Sequence, residues 1–548
     1  MEELVNSINS VIWSPALIYL CLGTGLFFTV VTRFVQLRHF REMFRLLLSG
    51  KSSDQGISSF QALAVSLSGR VGTGNIAGVA AAIGFGGPGA VFWMWIVAFF
   101  GAATAYIEST NAQIYKEEED GIYRGGPGAV FWMWIVAFFG AATAYIESTN
   151  AQIYKEEEDG IYRGGPAYYI EKAMGQKWYA WIFAISTIVA CGVLLPVVQS
   201  NGIGDALVNV FGNGGTVPSF LGDLPLTKVY AATMIVLILG FIIFGGVKRI
   251  ANFTQIVVPF MALAYIIIAC VIIALHIDIL PAIFMSIISD AFTPMAGFGA
   301  AIGWGVKRGV YSNEAGQGTG PHAAAAAEVE HPAQQGLVQA FSVYIDTLFV
   351  CSATAFMILI TKSYNVMPEG SSVFLVQNLA ADVVISGPAF TQIAVDSVLS
   401  GFGKPFIAIA LFFFAFTTVL AYYFIAENNV SYINRTIKIP ALRFVLKVIL
   451  MAAVFYGTVA QPSAAWGMGD IGVGLMAWLN IIGIIIIFFM AKPAIKALKD
   501  YEAQQKAGVT KFTFDPKSLG IKNADFWEER FANENTEANK AANKDTAS

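Results

Sequence analysis

Residues 58–84 read SSFQALAVSLSGRVGTGNIAGVAAAIG. A bilayer core is crossed by about 20 apolar residues in a helix, and this stretch is long enough. Its middle, Gly69-Arg70-Val71-Gly72-Thr73-Gly74-Asn75, carries three glycines, a charge and an amide where a spanning helix has none of these. Backbone freed from a helix at membrane depth is tolerated only where protein or a water-filled cavity covers it. A second apolar span, 284–305, is interrupted by Pro294-Met295-Ala296-Gly297-Phe298-Gly299. Two interrupted spans in corresponding places point to a transport site. The competing reading is that the glycines merely let helices pack closely.

The rest of the chain agrees with a membrane setting. Of 548 residues, 56% are apolar and only 13% charged, against about 25% charged in soluble domains. This excludes a soluble globular enzyme, a disordered chain and a disulfide-built secreted domain. Cys21, Cys191, Cys270 and Cys351 all lie in apolar runs and read as buried thiols. The N-terminal MEELVNSINS has no basic region and does not read as a signal peptide. No catalytic triad, metal-ligand spacing or phosphate-binding loop is present, so no enzymatic reaction and no cofactor is expected.

Residues 86–124 and 125–163 are the same 39-residue string, letter for letter. Architectural repeats drift in sequence, so this reads as a recent in-frame tandem duplication or a sequence-assembly artefact, not an architecture. With one copy counted, the apolar spans number eleven: 13–33, 58–84, 89–112 (repeated at 128–151), 178–200, 227–246, 251–275, 284–305, 336–361, 405–427, 442–460 and 468–491. Spans two and seven, the interrupted pair, are then five apart, the spacing of two five-helix inverted repeats. The domains expected are 1–57 (first helix and basic loop), 58–275 and 276–491 (the repeats, the first holding the duplication), and 492–548 (a cytoplasmic helix and a disordered end).

Arg33, Arg38, Arg41, Arg45 and Lys51 follow span one; Lys248 and Arg249 follow span five; Lys307 and Arg308 follow span seven. Arg435, Lys438 and Arg443 follow span nine, and Lys492, Lys496 and Lys499 follow the last span. With eleven spans all of these fall on one face. The positive-inside rule puts that face, and the C-terminus, in the cytoplasm, with the N-terminus outside. Twelve full spans would reverse the clusters from Lys248 onward, so one copy alone is expected to occupy the native span.

The string Gly305-Val-Lys-Arg-Gly-Val-Tyr-Ser-Asn-Glu-Ala-Gly-Gln-Gly-Thr-Gly-Pro321, with His322 and Ala323–Ala327 behind it, resembles the signature of the alanine or glycine:cation symporter family. Ser68–Gly78, the Gly86-Gly-Pro-Gly-Ala-Val-Phe-Trp-Met-Trp segment, Gly164-Gly-Pro-Ala-Tyr-Tyr-Ile and Tyr344-Ile-Asp-Thr-Leu match further family patterns. The resemblance runs from about residue 10 to 495. It implies an all-α polytopic membrane protein of LeuT type, a 5+5 inverted repeat preceded by one extra helix. It also implies uptake of a small neutral amino acid, alanine or glycine, with sodium or a proton as the partner ion, in a bacterial inner membrane. The duplication departs from the family pattern. A passive channel and a duplication-damaged, non-transporting relative are the alternatives.

On that basis Thr73, Gly74 and Asn75 are expected to bind the substrate carboxylate, with Gly297, Phe298 and Trp304 around its side chain; core packing competes for Phe298. Val71, Gly74, Thr417 and Thr418 are the expected cation ligands, since hydroxyl and carbonyl oxygens suit a hard cation. The two threonines can instead bond back to carbonyls of their own helix. Arg70 has three readings: a carboxylate partner, a salt bridge to Asp346 or Glu314, and a fixed positive charge in place of a bound cation. A buried intramembrane acid such as Asp346 is functional by default, here as a partner for Arg70 or for span-seven backbone. Ser312, Asn313 and Glu314 are expected to cap and gate the Ala323–Ala327 helix. Glu108 and its copy Glu147 are expected at the interface, and 388–399 as an outer lid.

Overall fold

A computed structural model describes residues 2–48, 52–53, 55–100, 140–219, 222–292, 298–367, 371–383 and 387–545. The described chain is mostly helical, with three short antiparallel hairpins. Among the described residues, seven helices are long and apolar enough to cross a membrane: Lys177–Phe211, Leu226–Ile243, Lys248–Leu275, Pro332–Ile360, Gly403–Ile437, Leu442–Val459 and Pro462–Met490. Pro15–Val31, Gly74–Gly86 and Leu280–Ala291 are shorter apolar helices. The outer faces carry large bare hydrophobes, with Phe241 74% and Phe260 75% exposed. An apolar surface of that kind is stable against hydrocarbon and costly against water. Cys270 is part of it, exposed rather than buried, whereas Cys21, Cys191 and Cys351 are buried.

The first interrupted span is two helices. Ser59–Arg70 starts at a capping box, in which Ser58 Oγ accepts the Gln61 N–H and Gln61 Oε1 accepts the Ser58 N–H. It ends at Val71, whose φ of −81° and ψ of 83° leave the helix. The chain restarts in a π-helical turn, Gly74–Gly78, and continues as Val79–Gly86.

The expected interruption at Pro294–Gly299 falls mostly outside the described residues, which stop at Phe292 and resume at Phe298, where a helix begins that runs to Asn313. The second break among the described residues follows that helix. The chain then turns through Glu314–Thr319 and re-enters a helix at Gly320–Ala326. Glu314, Gly316 and Gly318 all have positive φ, 56°, 86° and 82°. A backbone this tightly folded needs glycine at its bends. Gly320–Ala326 lies against Ser59–Arg70, and Phe298–Asn313 lies against Gly74–Gly86. Each broken helix therefore sets its first half against the second half of the other.

Lys307 and Arg308 are consequently not in a loop. They lie inside Phe298–Asn313, where Arg308 is buried and pairs with Asp470 through two bonds of 2.8 and 2.7 Å. Its guanidinium carbon also lies over the Trp304 and Trp466 rings. The capping expectation changes too: Thr319 is the N-cap of Gly320–Ala326 and makes no side-chain cap bond.

The duplicated segment is shared between its copies. Gly89–Phe100 comes from the first and Gly140–Ile153 from the second, and the two helices touch. Residues 101–139, again 39 long, lie outside the described residues. Phe100 and Gly140 are consecutive positions of the repeat unit, so the described parts compose one whole unit.

The polar tail is ordered where a disordered end is expected. Pro493–Lys506 and Asp525–Asp545 are helices, and the chain between them buries Phe512, Phe514 and Ile521. Trp527 is 1% exposed and donates to the Gln152 carbonyl at 2.7 Å. Arg530 pairs with Glu328 at 2.7 Å.

Candidate functional site

The two breaks face one another in the interior. A Cβ added to Gly69 would meet a Glu314 carboxylate oxygen at 3.1 Å, and one on Gly74 would meet the Tyr311 ring at 3.0 Å. Gly72 has no room at all: its added Cβ would lie 2.5 Å from Thr418 Oγ1 and 2.8 Å from Gln199 Oε1.

The first break frees backbone N–H groups, and buried N–H groups must find acceptors. The Gly72 N–H donates to Asn75 Oδ1 at 2.8 Å, and the Thr73 N–H to Gln199 Oε1 at 2.9 Å. Two side-chain amide oxygens thus occupy positions that the oxygens of a carboxylate can take. Gln199 projects from Leu195–Phe211 and is fully buried. Sequence reasoning passed over it, although the polar triplet Gln199-Ser200-Asn201 after an apolar run is the available signal.

Asp346 ties the breaks together. It sits in a π-helical turn, Ile345–Cys351, of the kind that often marks functional sites. Its carboxylate accepts Asn75 Nδ2 at 2.6 Å, Ser312 Oγ at 2.9 Å and Thr347 Oγ1 at 2.7 Å. Asn75 follows the first break and Ser312 precedes the second, so one carboxylate holds both.

Arg70 makes no ion pair within 4.0 Å among the described residues. Nη1 donates to the Gln339 carbonyl at 3.1 Å and to Ser342 Oγ, while Nε and Nη2 have no hydrogen-bond partner. Glu314, Glu147 and Asp346 are the carboxylates that act on its charge from a distance. Glu314 accepts Thr319 Oγ1 at 2.8 Å on one oxygen, and its other oxygen is unpartnered. Asn313 Oδ1 accepts the Ala315 N–H at 3.0 Å and so shapes the turn.

The two threonines part company. Thr418 Oγ1 bonds back to the Phe414 carbonyl of its own helix at 2.9 Å and also reaches the Ser68 carbonyl near the end of the first half-helix, at 2.7 Å. Thr417 Oγ1 bonds back to Phe413 and Phe414 carbonyls of its own helix, at 2.8 and 3.0 Å. Gly297 and the side chain of Phe298 lie outside the described residues. Trp304 stacks on Phe85 at 4.6 Å. Beside the first break stand the Tyr311 and Trp466 rings, 5.3 Å apart, with Trp466 3.5 Å from a Cβ added to Gly78. The helix Ala389–Val398 covers this end, where Thr391 Oγ1 donates to the Ile76 carbonyl at 3.3 Å.

The profile of the sodium:alanine symporter family matches residues 1–128 and again 121–515. The chain belongs to that family. The overlap of its two matches falls at the junction of the two copies. A putative sodium/proton-dependent alanine carrier of Bacillus subtilis is 52% identical over 538 residues, 97% of this chain and 99% of the relative. A sodium/proton-dependent alanine carrier of Bacillus sp. PS3 is 46% identical over 491 residues, 89% of this chain and 97% of the relative. A probable sodium/glutamine symporter of Bacillus subtilis is 36% identical over 514 residues, 93% and 92% of the two chains. These relatives are named as carriers, and with the seven long apolar helices they make the chain an integral membrane protein. Both breaks, at 69–75 and 314–319, fall within the matched residues. Glu147, expected at the interface, is fully buried beside the second break; its twin Glu108 lies outside the described residues.

Proposed function

We propose that this protein takes up a small neutral amino acid, alanine foremost and glycine with it, together with sodium or a proton, by alternating access. The observation that carries the reading is the pair of half-helices set in opposite senses and joined through Asp346. It supports a LeuT-type core of two five-helix inverted repeats behind one extra helix, eleven spans in all.

The substrate carboxylate replaces the Gln199 and Asn75 oxygens on the Gly72 and Thr73 N–H groups, next to Gly74. Tyr311 and Trp466 then wall a space suited to a methyl group rather than to a glutamine side chain. The cation sits between the Thr418 hydroxyl and carbonyls near Val71 and Gly74, with the Asp346 charge nearby; Thr417 joins only by giving up its bonds to its own helix. Ligands that contact both repeats favour the closed arrangement over open ones, and this differential binding is what couples their movements. Sodium is cargo here, and no cofactor is required.

Basic clusters at 33–51, 248–249, 435–443 and 492–499 still share one face without Lys307 and Arg308. They place the C-terminus in the cytoplasm and the N-terminus outside, in a bacterial inner membrane. The duplication is tolerated, because one whole repeat unit is composed around residues 101–139.

Uptake of radiolabelled alanine into proteoliposomes under an imposed sodium or proton gradient tests the reading. Saturable accumulation that collapses with the gradient is expected. Gradient-independent, non-saturating flux would establish a channel instead, and no flux a damaged carrier.

A further inference from the structure

We propose that Glu147, in the second of two identical copies, is the positioning residue that holds the glycine turn of the second broken helix, and that Glu108, its twin in the first copy, has no part in this. The inference rests on the symport reading for its consequence in transport, but not for its geometry.

Glu147 projects from Gly140–Ile153 and is 0% exposed. Its Oε2 accepts Asn480 Nδ2 at 2.8 Å, and its Oε1 faces the Gly316 N–H at 3.5 Å. Asn480 Nδ2 also donates to the Gly316 carbonyl at 2.9 Å, while Asn480 Oδ1 accepts Tyr169 Oη. Both polar atoms of the Gly316 backbone are therefore gripped by one acid–amide pair, itself oriented by a tyrosine. The grip is steric as well. A Cβ added to Gly316 would meet Ile481 at 3.2 Å and Thr143 at 3.7 Å, and one on Gly318 would meet Pro166 at 2.6 Å and Asn480 at 3.0 Å. Thr143 and Glu147 are four apart, on one helix face.

The chemistry requires a carboxylate. Two donors, an amide NH2 and a backbone N–H, converge on the two oxygens of this side chain, an arrangement that a glutamine amide, with one end a donor, does not reproduce. Its charge also acts on Arg70, across the turn. The Gly316–Gly318 turn sets where Glu314 and Thr319 stand against the first break, so Glu147 acts on the site through the turn and touches no ligand itself.

Sequence cannot distinguish position 108 from position 147, because their surroundings along the chain are identical. The fold distinguishes them: Gly89–Phe100 is followed, in repeat register, by Gly140–Ile153. The duplication thereby supplies its own control.

The experiment compares full-length E147Q, E147D and E108Q in two assays. The first is sodium-driven alanine uptake in proteoliposomes, resolved into KM and Vmax. The second is hydrogen–deuterium exchange of the peptide covering 314–320 in the purified protein. For E147Q, Vmax is expected to fall about tenfold with KM within about twofold, the scale of one lost buried hydrogen bond to a charge, and the 314–320 amides to exchange faster. E108Q is expected to match the parent in both assays, and E147D, which keeps the acid, to lose less Vmax than E147Q. Equal effects at 108 and 147, an effect at 108 alone, or unchanged exchange in E147Q would each overturn the proposal. If E147Q does not reach the membrane, an impaired E108Q overturns it. A parent that takes up no alanine refutes the symport reading, and the exchange assay then decides Glu147 alone.

Discussion

The two breaks do the same job with different materials. In the first, no residue between Val71 and Asn75 has positive φ, and the freed N–H groups are held by side-chain oxygens from Asn75 and Gln199. Side-chain acceptors of that kind can be exchanged for ligand oxygens. In the second, the bend is written into the backbone at Glu314, Gly316 and Gly318, and neighbouring helices clamp it. The first break is built to trade partners, and the second to keep its shape. Asp346 is common to both, so its loss is the harshest way to break the comparison. Asp346→Ala removes acceptors from Asn75, Ser312 and Thr347 together, and buried hydrogen bonds to a charge are worth about 1.5–3 kcal/mol each. A fall in uptake of about a hundredfold or more is expected, measured per carrier in the membrane. Uptake within a few-fold of the parent would show that the breaks work separately.

Glycine substitutions come next and separate the two. Gly316→Ala forces a Cβ residue to a φ of 86°, which costs about 1–2 kcal/mol before any contact is counted. It is expected to lower the melting temperature and Vmax together. Gly72→Ala meets no such backbone penalty but puts a methyl group against Thr418 Oγ1. It is expected to raise the sodium KM as well as to lower the melting temperature, because the added methyl has no room, whereas Gly316→Ala leaves the sodium KM near the parent's. Matching effects from the two variants would erase the distinction between a trading break and a fixed one.

The threonine pair gives a finer reading. Thr418→Val removes a hydroxyl that bridges two helices, and about a tenfold higher sodium KM is expected for one lost buried hydrogen bond. Thr417→Val removes a bond within one turn of its own helix and is expected to stay within about twofold. Sodium titration of uptake for both variants checks the order, and a reversed order would move the cation from the first break.

The same contrast explains what was legible in the sequence. The first break announces itself, because Gly-Arg-Val-Gly-Thr-Gly-Asn inside an apolar run has no other economical reading in a bilayer. Its hydroxyl partner Thr418 and the bridging Asp346 were likewise visible as polar residues in apolar spans. The break at Glu314–Thr319 went unanticipated because that stretch is polar enough to pass for a surface turn after a span. Only packing shows that the polar stretch is interior: Ser312, Glu314, Gln317 and Thr319 are all nearly fully buried. Glu147 was missed for the same reason, since depth in the membrane is not a one-dimensional property. The ordered tail was missed because its anchors, Phe512, Phe514 and Trp527, are sparse among charged residues and carry no helical period.

The smallest effect concerns the outer support of the second break. Lys155, beyond the end of its spanning helix, donates to the Ala327 carbonyl at 3.1 Å, just past Gly320–Ala326. Its ammonium also lies over the Tyr162 and Phe526 rings. Burial pushes the Lys155 ammonium down to about 7; Glu328 opposes the shift and Arg530 reinforces it. Between pH 7 and the ordinary lysine range the unfolded chain therefore binds a proton that the folded protein has released. Stability from this group rises as pH rises through that window, by at most about 1.4 kcal/mol per pH unit. Lys155→Met has nothing to titrate there. Whatever offset the lost hydrogen bond produces, the stability of the methionine variant relative to the parent is expected to fall steadily from pH 7 to pH 10. Thermal unfolding of both proteins across that range measures it. A difference independent of pH would mean that Lys155 is solvated, and that the second break's far end is held by the Ile57–Ala327 bridge, which belongs equally to the first.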